Sequence, residues 1–171
     1  MAKFLPRIHW DACCWIAYIQ REMPSPDCGF TEKRFELCSQ VLKRAADEQV
    51  EIVTSSFTLA EVCKMPTSTT SPSINLPAFF DQPYVFLVNV DKVVGQKAQS
   101  LQLSGVGNLK PQDATHIATA QIANIPIFHT FDRKLLALDK LIKLNDGNML
   151  RVVMPTREAP PLPLLAAQDN E

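Results

Sequence analysis

The sequence has no excess of positive charge: 17 Lys and Arg against 18 Asp and Glu leave a formal charge of −1. Proteins that hold nucleic acid by bulk electrostatics are usually basic overall, so any such contact here has to come from local patches. There is also no run of 18 apolar residues and no charged segment leading into a short apolar one, the patterns of a membrane span and a secretory signal. A membrane is therefore not expected as a partner, and the expected compartment is the cytoplasm. Internal repeats are absent. The five cysteines, Cys13, Cys14, Cys28, Cys38 and Cys63, contain no CxxC pair. An odd number without ligand spacing argues against both a zinc site and a disulfide framework. They read as reduced, mostly buried thiols, and His9, His116 and His129 offer no sequence-evident partner to activate one as a nucleophile.

What is present is an ordinary composition for one folded domain, 46% hydrophobic and 20% charged, in a chain long enough to bury well over half of its unfolded surface. A short extended segment at 7–10 ends at Asp11, and a helix follows over 12–22. PSPDCG at 24–29 is a loop, and 31–48 a helix with Phe35, Cys38, Val41, Leu42 and Ala45 inward and Glu32, Lys33, Arg34, Lys43 and Arg44 toward water. The β-branched run VEIVT at 50–54 predicts the second strand, after which Ser55 and Ser56 are N-cap candidates for a short helix carrying Glu61. Residues 64–83, rich in Pro, Ser and Thr, predict a mobile surface excursion with a turn of helix around 76–81. YVFLVNV at 84–90 is nearly continuous in apolar residues, as expected of a strand covered on both faces.

A helix over 91–103 turns Val94, Ala98 and Leu101 inward, and SGVGN breaks it. Residues 110–125 predict the central helix: Pro111 fits its first position, and Ala114, Ile117, Ala118, Ile122 and Ile125 form its apolar stripe. PIFHT at 126–130 is the next strand, 132–143 the last clear helix and 150–154 a final strand. Residues 1–155 are expected as one domain and 156–171 as a Pro-rich, flexible tail. Alternating strands and helices imply an α/β fold, a three-layer α/β/α sandwich with a mostly parallel central sheet.

Against that frame four acids share a pattern. Asp11 follows the first strand, Glu61 the second and Asp132 the strand PIFHT, while Asp113 lies in the first turn of the central helix. In a parallel sheet the C-terminal strand ends and the following helix starts share one edge, where such folds place their ligands. Four converging carboxylates repel unless a cation neutralises them. Hard oxygen donors suit Mg²⁺ or Mn²⁺, and the chemistry implied is hydrolysis of a phosphate ester.

The segments WDACCW, TSSFTLAEV, PQDATHIATA and HTFDRKLLAL, in this order and spacing, resemble the four acidic motifs of PIN-domain ribonucleases, most of all the VapC-like toxins of toxin-antitoxin pairs. The resemblance covers about 7–154. It implies a PIN-like fold and an endoribonuclease in which Asp11, Glu61, Asp113 and Asp132 are the catalytic Mg²⁺/Mn²⁺ site. Asp11 and Asp113 would be the more direct ligands, with Glu61 and Asp132 acting through waters or on a second ion. It further implies RNA as substrate, cleaved to 5′-phosphate and 3′-hydroxyl ends, a homodimer, and a small antitoxin protein as partner.

Thr130 matches the small hydroxyl residue that often precedes the last acid, and Lys110, Arg133 and Lys134 stand where they would meet RNA phosphates. Two residues after the first acid, where family members often carry Ser, Thr or Asn, stands Cys13. His116, one turn after Asp113, reads as a satisfied helix residue rather than a substrate contact, and Trp10 and Trp15 as core. A haloacid-dehalogenase-type phosphatase also places an Asp after its first strand, but Cys13 occupies the position of its required second acid. The rival from another class is a PIN fold that has lost catalysis and serves as an RNA-binding or protein-interaction module.

Overall fold

Four short β-branched or apolar runs and one further strand pair into a single sheet in the computed structural model, which describes residues 5–25, 29–62 and 75–156. The strands are β1 (Arg7–Trp10), β2 (Glu51–Ser55), β3 (Val85–Val88), β4 (Ile127–His129) and β5 (Arg151–Val153). Their order is β3-β2-β1-β4-β5 and every pairing is parallel. Parallel neighbours need crossovers, which the helices supply while covering both faces. The expected three-layer α/β/α sandwich is thus observed.

On one face lie α1 (Ala12–Ile19), α2 (Arg34–Ala46) and the single turn α4 (Pro77–Phe80), with Ile8, Trp10, Trp15, Val41, Ile52 and Phe80 buried between them and the sheet. On the other lie α5 (Lys92–Leu103) and α6 (Pro111–Ile122), which pack on each other over Phe128 and Val152. Two single turns, α3 (Thr58–Glu61) and α7 (Arg133–Leu136), follow the C-terminal ends of β2 and β4. Local chemistry sets the boundaries. Asp91 caps α5 by accepting the Val94 N–H at 3.0 Å, and Pro111 opens α6 at a position that needs no donor. Between them Gly107 has φ +64°, and a Cβ there would meet Leu138 Cδ2 at 2.6 Å, so this turn demands glycine. Trp10 and Trp15 are fully buried, as expected.

Several expectations are corrected. YVFLVNV is an edge strand, not one covered on both faces: Phe86 and Leu87 are each 39% exposed. The last helix is one turn instead of three: beyond it the N–H groups of Leu138 and Asp139 donate to carbonyls three residues back, and at Lys140 (φ +59°) the chain turns so that its N–H donates to the Leu150 carbonyl at 3.0 Å. Leu138, Ile142 and Leu144 are buried from irregular backbone, so their spacing recorded burial and not helix. The first helix stops at Ile19, before Arg21 takes a positive φ of 54°. Neither serine caps α3: Ser55 Oγ accepts the Phe57 N–H, and Ser56 Oγ accepts the Val90 N–H. Arg44 does not face water; it is 9% exposed and donates to the Thr156 carbonyl. Arg34 is half-buried, its guanidinium 3.8 Å over the Phe30 ring and paired with Glu22 at 3.3 Å.

Residues 64–74 of the 64–83 excursion and the tail beyond Thr156 lie outside the described residues, as do Cys28 and Cys63. The expected turn of helix near 76–81 is α4. Among the described residues no helix is long and apolar enough to cross a membrane.

Candidate active site at the switch point of the sheet

The chain runs outward from β1 through β2 to β3, then returns to place β4 and β5 on the other side of β1. The carboxyl ends of β1 and β4 therefore flank the point where strand order reverses, the usual ligand crevice of an open α/β sheet. Asp11 leaves β1 there, its backbone N–H donating to the His129 carbonyl of β4 at 3.1 Å. Its carboxylate caps α1: Oδ1 accepts the Ala12 N–H at 2.7 Å. Oδ2 accepts the hydroxyl of Thr130, which follows β4, at 2.8 Å. The same Thr130 oxygen accepts the Asp132 N–H at 3.0 Å, and Asp132 Oδ1 in turn caps α7 by accepting the Lys134 N–H at 2.7 Å. One buried hydroxyl thus fixes the spacing of two acids.

Cys13 occupies the position of the family's small polar residue and makes contacts of the same kind. Its thiol lies 3.2 Å from Asp11 Oδ2 and 3.3 Å from Thr130 Oγ1, and its sulfur accepts the Phe131 N–H at 3.2 Å. A hydrogen bond with Cys14 pulls its pKa down, but burial and the Asp11 carboxylate outweigh that and the net shift is upward, so Cys13 stays a thiol. Cys14 and Cys38 are buried and unpaired by disulfide, consistent with the reading of reduced thiols.

Asp113 reaches the same edge from the first turn of α6. Burial raises its carboxyl pKa, and the Asp11 and Asp132 carboxylates push it further up against the opposing pull of Lys110. Asp113 therefore feels two acids far from it in sequence. Glu61, at the end of α3, joins them through His116: His116 Nε2 is 2.6 Å from Glu61 Oε2 and 3.8 Å from Asp11 Oδ1. His116 is buried, in line with the expectation of a satisfied helix residue, but its partner is one of the four acids, which its position on α6 alone could not reveal. Lys110, Arg133 and Lys134 are exposed beside the acids.

Among the described residues no three His, Cys, Asp or Glu side chains are drawn together at the spacing of a finished ligand cage. The donor set nevertheless suits a hard divalent cation, since it is made of carboxylate oxygens whose mutual repulsion at Asp113 such an ion would relieve. The hydroxyl of Thr130 carries the arrangement. Thr130→Val is expected to cost about 1–3 kcal/mol, since it leaves the Asp132 N–H unmet and removes a donor from buried Asp11. Urea unfolding of Thr130→Val beside Thr130→Ser checks this; a loss in Thr130→Ser with none in Thr130→Val would show that methyl packing, not the hydroxyl, matters.

No curated protein matches the chain significantly. The family profile described as PIN domain matches residues 11–141, from the first of the four acids to beyond the last. The match spans well over half of a chain whose parallel sheet and acid-bearing edge have the form such a domain requires, and the protein belongs to the PIN domain family, whose members are generally metal-dependent nucleases.

Proposed function

We propose that this PIN domain is an endoribonuclease that uses Mg²⁺ or Mn²⁺ and acts as the toxin of a toxin-antitoxin pair. What supports the nuclease reading is that Thr130 joins Asp11 and Asp132 at the switch point, where burial and then those two carboxylates push up the pKa of Asp113. Asp11 and Asp113 would be the residues that hold the cation directly, with Glu61 and Asp132 completing the donor set. Bound there, a divalent cation supplies Lewis acidity for hydrolysis of a phosphodiester by water. The protein's own groups do the positioning. Thr130 holds Asp11 and Asp132 at fixed separation, and α1, α6 and α7 each present an acid from the first turn or the cap, where the helix dipole favours negative charge. Exposed Lys110 and Arg133 supply the phosphate contacts that a chain of near-zero net charge must make locally.

The toxin role, the small antitoxin and the homodimer rest on the resemblance of the four motifs to VapC-like proteins. Purified protein is expected to cleave single-stranded or looped RNA with Mn²⁺ or Mg²⁺, to stop in chelator and to resume when metal is restored. RNA binding that ignores metal and leads to no cleavage would point to a binding module instead. Growth arrest on expression, relieved by the product of a small adjacent gene, tests the toxin role.

A further inference from the structure

We infer that His116 is a positioning residue for the nuclease site: its Nε2–H holds one oxygen of Glu61, so that α6 and not α3 fixes where this acid stands. The inference rests on the nuclease reading. Glu61 ends a helix of four residues, too short to hold a shape by itself. The opposite end of that turn is tied to the sheet by Thr58 Oγ1, 2.8 Å from Thr54 Oγ1, but at the Glu61 end no other side-chain hydrogen bond to this carboxylate exists among the described residues. The 2.6 Å contact with His116 is of charge-assisted length.

The ring that makes this contact is itself fixed by packing. His116 is 1% exposed, with His9 against it edge to face at 5.9 Å and Phe57 tilted toward it at 6.2 Å. Its Nδ1 has no hydrogen-bond partner among the described residues, so the proton that meets an ionised Glu61 has to be on Nε2. Asp11 Oδ1, at 3.8 Å, is too distant to share that proton, and Asp11 keeps its own donors, Ala12 and Thr130. The imidazole therefore commits Glu61 Oε2 and leaves Oε1 as the oxygen available to a cation. Asp113 and His116 lie one turn apart on α6, so a single rigid helix sets the position of two acids, one by its own side chain and one through the histidine.

The test compares His116→Gln, whose amide can keep a donor near the Nε2 position, with His116→Met, which cannot, each alone and combined with Glu61→Gln. Mn²⁺ affinity is read by calorimetry, kcat and KM on an RNA oligonucleotide, and Tm alongside. His116→Met is expected to weaken Mn²⁺ binding and lower kcat about 10- to 100-fold, His116→Gln to recover most of both, and the Met change to add nothing in the Glu61→Gln background. Losses that multiply in the double variant, or a His116→Met protein with wild-type Mn²⁺ affinity, overturn the inference.

A measurement on folded wild type decides the matter even if His116→Met does not fold. The His116 Nε2–H proton resonance is expected at low field and to move on adding Mg²⁺, and to lose that response in Glu61→Gln; a resonance indifferent to Mg²⁺ in wild type overturns the inference. If wild type neither binds Mn²⁺ nor cleaves RNA, it is the nuclease reading that falls. If wild type does both and the histidine variants behave additively, only the role of His116 falls.

Discussion

Asp113→Asn is expected to slow RNA cleavage about 1,000-fold and, in the same protein without metal, to raise the melting temperature. Both effects have one cause. The Asp113 carboxyl is held above its ordinary pKa by partial burial first and then by the carboxylates of Asp11 and Asp132. An amide of nearly the same size ends the repulsion but offers a poorer ligand to a hard cation. The native acid thus costs stability in the metal-free state and is retained for what it binds, a familiar exchange of stability for function. Thermal unfolding in chelator and in Mn²⁺ checks the claim, because a cation that binds only the folded state raises Tm by mass action. Wild type should gain more from Mn²⁺ than the variant does. A variant that cleaves normally, or one that melts lower than wild type in chelator, would remove Asp113 from the site.

Acid is expected to destabilise the fold steeply from about pH 6.5 downward, and histidines are the reason. Burial, with Arg44 adding to it, lowers His129 to about 3. His9, fully buried and stacked on Phe128 at 4.8 Å, is held well below its ordinary value by burial and then by His116. An unfolded histidine takes up its proton near pH 6.5. Below that pH the unfolded chain binds protons that folded His9 and His129 refuse, so unfolding gains on folding as pH falls, each group contributing up to about 1.4 kcal/mol per pH unit.

His116 has the opposite sign: Glu61, Asp11 and Asp113 outweigh its burial and the net shift is upward, so its contribution is complete below pH 6.5 and fades as pH rises through its folded value. Stability should therefore peak near neutrality. Urea midpoints between pH 7.5 and 5.0 measure the profile, and His129→Leu should flatten its acid limb by about half. A flat profile in wild type over that range would mean that these rings ionise inside the fold.

How much of this was legible in the sequence depends on whether the signal was local. VEIVT and the 3.6-residue spacing behind Pro111 named β2 and α6 because the residues that form the element also state its period. Asp11, Asp132 and Asp113 could be placed at one edge from chain order alone, since parallel topology puts strand ends and helix starts together. Strand order is not a local property. Nothing within YVFLVNV says that β3 has a neighbour on one side only, so its apolar run predicts a fully covered strand. Arg44 looked like a surface charge because its helix face is polar there; the chain that covers it arrives more than a hundred residues later, at Thr156. DRKLLALDKLIK kept the spacing of a buried helix while its backbone turned away after Leu136. The bond between His116 and Glu61 spans two helices and a sheet edge, and no pattern within either motif contains it.

The pairing of Asp11 with the His129 carbonyl has a consequence for how the pocket breathes. That amide bridges the two central strands, β1 and β4, just past the end of β1, and is expected to exchange slowly with deuterium. The amides of α3 rest on a single turn and exchange through shallow local openings. The backbone of α3 is therefore expected to exchange sooner than the Asp11 amide, while the Glu61 carboxylate keeps its place through His116 on α6.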